Sequence, residues 1–249
     1  MSSPAIVICP DPDALARSAA ERFIAAGTQA CARHGRFAAA LSGGSTPKMM
    51  YALLAEPEFS KELDWARVHV FWGDERCVPP DHPESNFRMA KEALLDKIAV
   101  PPANVHRMRA EEAPDRAADA YENEIKRFFA LQSRQLPCFD LVLLGLGEDG
   151  HTASHFPGGR VLDERDRLVA APYVEKLQAH RLTLTLPVIS AAARVIFLVA
   201  GASKGKVLRE ILQAGKDADR YPAARVRPAN GDVTWLIDVA AATEMKQRS

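Results

Sequence analysis

The sequence has little cysteine and no long hydrophobic run. Its four cysteines, Cys9, Cys31, Cys77 and Cys138, are widely spaced and include no Cys-x-x-Cys pair, which is typical of thiols in a reducing compartment. No apolar stretch approaches the roughly 20 residues that a membrane-spanning helix needs. The N-terminus also lacks the basic and apolar regions of a signal peptide. These absences predict a cytoplasmic protein without a membrane partner.

The sequence also has no excess of charge of either sign. Its 249 residues include 32 lysines and arginines and 32 aspartates and glutamates. A balanced chain offers no general surface for nucleic acid or an anionic membrane, and leaves open only a local basic pocket. There is no internal repeat, low-complexity tract or evident linker. Residues 1–249 are therefore predicted to form a single domain with a full hydrophobic core, in preference to two small domains.

The chain is organised around residues 139–158, FDLVLLGLGEDGHTASHFPG. The apolar run from Leu141 to Leu144 predicts a buried strand, and the glycines after it predict a loop at the strand's carboxyl end, where open α/β sheets bind ligands. Asp149 and His151 are two residues apart, so a turn can bring carboxylate and imidazole together. Such a carboxylate orients an imidazole and raises its basicity, as in a general base. The alternative is that Asp149 caps a helix and His151 is a solvated loop residue.

A second glycine loop, SGGSTP at residues 42–47, follows an apolar run and precedes a helical pattern. It predicts a strand, a tight turn, and a helix with Thr46 as its N-cap and Pro47 as its first residue. Backbone N–H groups, hydroxyls and a helix N-terminus together suit a phosphate, although a plain β–α turn is the alternative. Both the Walker ending and the dinucleotide Gly-x-Gly-x-x-Gly are missing. The predicted phosphate-binding residues are Gly43, Gly44, Ser45 and Thr46.

Polar side chains also follow two other predicted strands. After Val68–Trp72, Arg76 could hold a phosphate or carboxylate bidentately or stabilise an oxyanion, or could form a surface pair with an aspartate. Asn86 lies in the first turn of a helix capped by Ser85, where its amide could face a ligand or solvent. Lys204 is predicted in the first turn of a later helix. A cation there opposes the helix dipole unless an anionic ligand binds.

Four segments together resemble one known family. They are LSGGSTP at 41–47, FWGDERCVPPDHPESNF at 71–87, GLGEDGHTASHFPG at 145–158 and GASK at 201–204. The chain resembles the 6-phosphogluconolactonase family over nearly all of its length. A related branch, glucosamine-6-phosphate deaminase, shares the glycine loop and the Asp-Gly-His. That branch continues with a glutamate that assists its histidine, and this sequence lacks the glutamate.

The resemblance implies an open, mainly parallel, Rossmann-like α/β sheet with helices on both faces and no metal or organic cofactor. It implies hydrolysis of 6-phospho-D-glucono-1,5-lactone to 6-phospho-D-gluconate, the second step of the oxidative pentose phosphate pathway. The family's catalytic histidine falls on His151, its neighbouring acid on Asp149, and its arginine on Arg76. The phosphate loop falls on residues 43–46 and the phosphate lysine on Lys204.

The chemistry of a lactonase fits these residue types. His151 could take a proton from water and return it to the ring oxygen, while Arg76 stabilises charge on the carbonyl or carboxylate. A remote phosphate anchor would help to position the carbonyl. Because the sequence contains no Gly-x-Ser-x-Gly elbow, direct attack by water is expected rather than an acyl-enzyme.

Three other functions are compatible with parts of the sequence. A deaminase or isomerase of the same superfamily has the same fold. A non-catalytic sugar-phosphate sensor is disfavoured, because no segment is left for a DNA-binding helix-turn-helix. A metal enzyme is suggested only by the i, i+4 spacing of His151 and His155, without a third ligand. The family commonly has an apolar residue at the position of His155. The predicted partner is the small-molecule substrate alone, and the chain is expected to be a monomer or weak homo-oligomer.

Overall fold

The computed structural model describes residues 4–213 and 215–245 and contains a large parallel sheet and a small antiparallel sheet. The strands in the described residues are β1 (Ala5–Cys9), β2 (Phe37–Leu41), β3 (Val68–Trp72), β4 (Asp74–Arg76), β5 (Leu141–Leu144), β6 (Val169–Ala170), β7 (Tyr173–Val174), β8 (Ala179–Leu184), β9 (Arg194–Val199) and β10 (Asp232–Asp238). The large sheet has the order β1-β10-β9-β5-β2-β3, and all neighbours are parallel. The small sheet has the order β4-β8-β6, with β7 also pairing with β8.

Helices connect most of these strands. The α-helices in the described residues are α1 (Pro12–His34), α2 (Ser45–Ala55), α3 (Pro57–Ser60), α4 (Asn86–Ala90), α5 (Pro114–Phe128), α6 (Leu186–Ile189), α7 (Gly205–Gln213) and α8 (Val239–Ala242). A π-helical turn, Lys91–Leu95, extends α4. Short 3-10 helices lie at Trp65–Arg67, Pro102–Asn104, Arg160–Asp163, Glu175–Leu177, Ala202–Lys204, Gly215–Arg220 and Pro222–Arg225. Among the described helices, none is both long enough and apolar enough to cross a membrane.

The central strands of the large sheet are buried on both faces. Every residue of β2 and β5 is buried. Ala38 and Val142 belong to one hydrophobic cluster, which includes Tyr121 of α5, whereas Ala39 and Leu141 belong to a second cluster on the other face. Burial on both faces explains the near-continuous apolar runs of these strands. The helices therefore lie on both faces of a mainly parallel sheet, which confirms the predicted fold class.

The sequence predicts helix starts at Asp11, which is followed by Pro12, and at Ser85, and a helix end near Gly35, and the caps in the structure confirm all three. The Asp11 side chain accepts a hydrogen bond from the Ala14 backbone N–H at 2.7 Å, and Gly35 ends α1 with a φ of 83°. Ser85 caps α4 in the same way, accepting from the backbone N–H of Arg88. These side chains satisfy backbone N–H groups that the first helical turn leaves without partners.

The predicted N-cap of α2 is wrong. The helix begins at Ser45, and its cap is Gly44, not Thr46. Gly44 has a φ of 109°, which glycine adopts far more readily than other residues, so the chain turns there and the helix starts directly afterwards. Ser45 and Thr46 consequently lie in the first turn, where backbone N–H groups have no partner within the helix. Pro47, which has no backbone N–H, follows them at no cost to the helix.

Two predicted elements around the large sheet are also corrected. The sequence predicts a short strand from Val105 to Met108, but Val105 forms only an isolated bridge to β3, and the described chain has no strand there. The sequence also predicts a helix that starts at residues 111–115 and whose apolar face reaches Gln132, but α5 ends at Phe128, and the chain turns at Ala130 with a φ of 50°.

The alternating run RLTLTL at residues 181–186 predicts a half-buried strand, which is β8 and ends at Leu184. Pro187 has no backbone N–H for a sheet and lies instead in the first turn of α6. The sequence Pro157-Gly158-Gly159 predicts an irregular stretch that runs to about Gln178, but this stretch contains β6 and β7, which are too short to show a periodicity. The sequence also predicts a helix after the last strand, and this helix is α8; residues 246–249 lie outside the described residues.

His155 is fully buried, where the resemblance leads us to expect an apolar side chain. Neither of its ring nitrogens has a hydrogen-bond partner in the part of the chain that the structure describes. Burial lowers the pKa of His155 to about 4. Leaving a buried polar group unpaired costs about 1–3 kcal/mol. His155 therefore weakens the fold.

We predict that His155→Leu stabilises the protein by about 1–3 kcal/mol at pH 8. The folded-state pKa lies below the unfolded value of about 6.5, so the unfolded chain binds the proton more readily. Wild-type stability is therefore lost as the pH falls from about 6.5 towards 4, and the leucine variant lacks this loss. Its advantage should grow by roughly 1–2 kcal/mol at pH 5. Urea unfolding at both pH values measures the difference, and an advantage independent of pH would contradict a buried neutral imidazole.

Candidate active site

The carboxyl ends of β2, β3, β5 and β9 surround a cavity of about 300 Å³. This edge is where ligands bind in open parallel sheets. The structure brings all but one of the predicted site residues to the cavity wall. Those that line it are Gly43, Gly44, Ser45, Thr46, Arg76, Asn86, His151 and Lys204. Asp149 lies behind His151, in the wall of a neighbouring cavity of about 900 Å³.

Asp149 and His151 form the contact that the sequence predicted. His151 Nδ1 lies 2.6 Å from Asp149 Oδ1, and the His151 backbone N–H donates to the same oxygen at 3.2 Å. The imidazole stacks on Phe156 with 4.3 Å between ring centroids. Its Nε2 has no hydrogen bond within the described residues, and the ring lines the cavity. Asp149 and Phe156 therefore fix the orientation of the ring, and Nε2 is left to interact with a ligand in the cavity.

The loop depends on two glycines. A Cβ atom on Gly147 would lie 2.0 Å from His151 Nδ1, so only glycine leaves space for the imidazole beside the Asp149 carboxylate. Gly150 has a φ of 80°, and a Cβ there would lie 2.3 Å from the ring of Tyr221. Both positions require close approach between the loop backbone and its neighbours.

Asp149 is held in its ionised form. Burial alone would raise its pKa, but hydrogen bonds from His151 and Lys176 outweigh this effect and lower the pKa to about 2. An ionised Asp149 favours the tautomer with the proton on His151 Nδ1, which leaves Nε2 as an acceptor. The pair is therefore arranged as an oriented base.

The opposite side of the cavity can bind an anion. The turn at Gly44 directs the N-terminus of α2 at the cavity, and helix N-termini attract phosphate through free N–H groups and the helix dipole. Lys204 lies in the 3-10 turn immediately before α7, and so not in the first turn of α7 as predicted. Its Nζ is 3.7 Å from the Glu148 carboxylate. The backbone N–H of Gly201 donates to both Asp238 oxygens at 3.0 Å, which anchors the start of this turn.

Two buried acidic residues, Asp74 and Glu75, belong to this part of the structure but were not among the predicted site residues. Asp74 lines the cavity and accepts from Ser154 Oγ at 2.8 Å. Burial raises the pKa of Asp74, and Arg76 is the largest of the groups that oppose this rise. Glu75 is also buried and accepts from the backbone N–H groups of Asn86 and Phe87 at the start of α4. The sequence feature that could have identified them is the Asp74-Glu75 pair, which follows the buried strand β3 after a single glycine.

Asn86 is buried, so it is not the solvated residue of the alternative interpretation. Its side-chain N–H donates to the backbone carbonyl of Asp74 at 2.9 Å. A Cβ atom on Gly43 would lie 1.9 Å from Asn86 Oδ1. Asn86 is therefore hydrogen-bonded to β4 and packs closely against Gly43 of the glycine loop, in addition to lining the cavity.

Arg76 also lines the cavity, and it donates to the Glu84 backbone carbonyl. It lies opposite Arg181 in the antiparallel register of β4 and β8. Within the described residues, no group of three or more histidine, cysteine, aspartate or glutamate side chains could hold a metal ion. The described residues around His151 and His155 therefore do not fit the metal site that the spacing of these two histidines suggested.

Comparison with known proteins identifies the family. The sequence model described as glucosamine-6-phosphate isomerases/6-phosphogluconolactonase matches residues 10–235. The chain belongs to this family. A 6-phosphogluconolactonase from Synechocystis sp. is 46% identical over 220 residues, which are 88% of this chain and 89% of the relative. One from Nostoc sp. is 40% identical over 241 residues, covering 96% of this chain and 98% of the relative.

Solved structures in the family have the same fold. The 6-phosphogluconolactonase from Trypanosoma brucei matches with a TM-score of 0.87 and 31% identity, covering 99% of this chain and 100% of that protein. The family membership that the four sequence segments indicated is therefore confirmed, together with the Rossmann-like architecture.

We predict that Gly147→Ala lowers turnover by about 10²-fold or more while the protein stays folded. The added Cβ would overlap His151 Nδ1, so the imidazole must leave its place beside Asp149. Turnover of lactone substrate and the thermal unfolding temperature are the measurements.

Gly73→Ala is the matched control, because a Cβ there would make only an ordinary contact at 3.5 Å. It should keep most of the wild-type turnover. Equal losses in the two variants, or full activity of Gly147→Ala, would contradict the packing argument.

Proposed function

We propose that the chain hydrolyses 6-phospho-D-glucono-1,5-lactone to 6-phospho-D-gluconate, the second step of the oxidative pentose phosphate pathway. The observation that carries the proposal is a single cavity lined by an oriented imidazole, a glycine loop at a helix N-terminus, and a lysine. The relatives from Synechocystis and Nostoc support the choice of substrate, since both are named 6-phosphogluconolactonase.

In the proposed reaction His151 Nε2 takes a proton from a water molecule as the water oxygen attacks the lactone carbonyl carbon. Asp149 stabilises the imidazolium that forms. The tetrahedral intermediate then expels the ring oxygen, which receives the proton back from Nε2. The water thus contributes its oxygen and one hydrogen to the carboxylic acid and one hydrogen to the released hydroxyl. General-base catalysis of this kind contributes about 10²–10⁴-fold.

The other predicted residues supply charge and position. Arg76 is the group proposed to stabilise the carbonyl oxygen as it becomes negative, because a guanidinium donates strong, directed hydrogen bonds to an oxyanion. The loop at residues 43–46 and Lys204 would hold the phosphate. Binding energy from this remote group can then be used to place the carbonyl beside His151. Asn86 supports the glycine loop through its buried amide.

We propose that residues 1–249 form a single domain that acts as a monomer or weak homo-oligomer. The four cysteines are free thiols, in agreement with the proposed cytoplasmic location. Water activation by His151 gives no role to a metal or an organic cofactor, so we propose that the reaction needs neither.

The family description also includes isomerases, so the rival function is isomerisation and deamination of an amino-sugar phosphate. The loop after His151 continues Thr-Ala-Ser-His-Phe-Pro, without the glutamate of the deaminase branch. The two functions differ in product. A deaminase would release ammonia and fructose 6-phosphate from glucosamine 6-phosphate, and we expect neither.

The test of the proposed function is His151→Asn. The amide keeps a polar side chain but cannot accept the proton, so turnover should fall by ~10²–10⁴-fold, while affinity for 6-phosphogluconate changes much less. Glucose-6-phosphate dehydrogenase generates the lactone and 6-phosphogluconate dehydrogenase reports its opening. The spontaneous rate is measured without enzyme and subtracted.

His180→Asn serves as the control, because His180 is an exposed histidine of β8 outside the cavity. It should retain wild-type turnover. A folded His151→Asn protein that keeps most of the rate would remove His151 as the base. Ammonia release by the wild type would instead point to the rival function.

A further inference from the structure

We infer that Lys176 is a positioning residue of this site, which acts through Asp149 to keep His151 in the neutral form that accepts a proton. No motif of the sequence analysis includes Lys176. The inference deepens the proposed function and rests on His151 being its general base.

Asp149 uses its two carboxylate oxygens for two different partners. Oδ1 lies 2.6 Å from His151 Nδ1, and Oδ2 lies 3.1 Å from Lys176 Nζ. The carboxylate is thus shared between the imidazole and a permanent cation. The pair lies between the two cavities, because His151 lines the smaller one and Lys176 and Asp149 line the larger one.

The backbone of Lys176 is held by a tight hairpin. Tyr173 pairs with His180 in β8, and the 3-10 turn Glu175–Leu177 joins the two strands. The turn closes at Gln178, which has a φ of 47° and whose N–H donates to the Glu175 carbonyl at 3.1 Å. Non-glycine residues rarely adopt this left-handed conformation, so the turn has a defined backbone geometry at Gln178. β8 also pairs with β4, so one strand connects the hairpin to Arg76.

An ion pair this exposed has little value for folding. The Lys176 side chain is 71% exposed, and exposed pairs contribute little because solvent screens them and long side chains lose freedom. The ion pair has a chemical consequence for His151 instead. A bare Asp149 carboxylate would favour imidazolium before any substrate binds, and a protonated His151 cannot act as a base. The charge of Lys176 offsets part of that attraction while Asp149 still orients the ring.

Other charged groups surround the two cavities, and all of them are unchanged in the variants below. Asp74 on β4 is near His151 and is also influenced by Arg76 and Arg181. Glu148 lies next to Asp149 in the chain and pairs with Lys204, and the larger cavity is also lined by Arg160, Glu164, Arg167 and Glu175. A change seen on altering Lys176 therefore reports on its own charge.

The test is the pH dependence of kcat/KM in Lys176→Met, which removes the charge and keeps an apolar stem. We expect the midpoint of the acidic limb to rise by about 0.5–1 pH unit, because His151 then holds its proton more tightly. At a pH one unit below the wild-type midpoint the rate should fall roughly 3–10-fold. The high-pH plateau should change little. Lys176→Arg should restore the wild-type profile.

Two controls separate this effect from others. Lys91→Met removes an exposed lysine–aspartate pair elsewhere, that of Lys91 with Asp96 at 2.6 Å, and should leave the midpoint unchanged. In an Asp149→Asn background, Lys176→Met should shift the midpoint much less than it does in the wild type. An equal shift in both backgrounds would mean that Lys176 does not act through Asp149, and would overturn the inference.

Titration of the His151 ring by ¹⁵N NMR, without substrate, separates the inference from the proposed function. A higher His151 pKa in Lys176→Met supports the inference. An unchanged pKa overturns it, whatever the rate profile does. A raised pKa with an unmoved rate profile supports the effect of Lys176 on the ring but removes His151 as the base of the reaction.

Discussion

The contact between Asp149 and His151 is the interaction on which the rest of the site depends. Two side chains separated by one glycine can meet at 2.6 Å only if the loop turns sharply and its backbone leaves room for the ring. Gly147 provides that room, and Gly150 allows the positive φ beside Tyr221. The loop leaves β5, whose residues are all buried, so the turn starts from a rigid strand. The functional group is therefore positioned by the core of the large sheet.

The small antiparallel sheet completes the site. The chain leaves β3 at Gly73, whose carbonyl accepts from the Leu184 backbone N–H at 2.8 Å, and β4 then runs beside β8. This brings Asp74 and Arg76 to the cavity wall. β8 also carries the hairpin that presents Lys176 to Asp149. The large sheet thus supplies the imidazole and the anion-binding loop, and the small sheet supplies the charges around them.

Much of this arrangement could be predicted from the sequence, because its signals are local. Glycine loops after apolar runs identified the carboxyl edge of a parallel sheet, and the spacing of Asp149 and His151 identified their contact. The small sheet could not be predicted, since β6 and β7 have only two residues each and β4 pairs with β8, which is distant from it in sequence. Lys176 was missed for the same reason, because it reaches Asp149 across 27 residues of chain. The cap of α2 was misplaced because the positive φ of Gly44 outweighed the capping preference of Thr46.

The central claim is that one cavity holds the phosphate at one end and the carbonyl carbon beside His151 at the other. The most direct measurement is a crystal structure with 6-phosphogluconate bound. We expect the phosphate within hydrogen-bond distance of the backbone N–H groups of residues 44–46 and of Lys204 Nζ. The carboxylate should lie about 3 Å from His151 Nε2, or one water molecule away. A reversed product, with its carboxylate at Lys204, or a product bound only in the larger cavity would contradict the account.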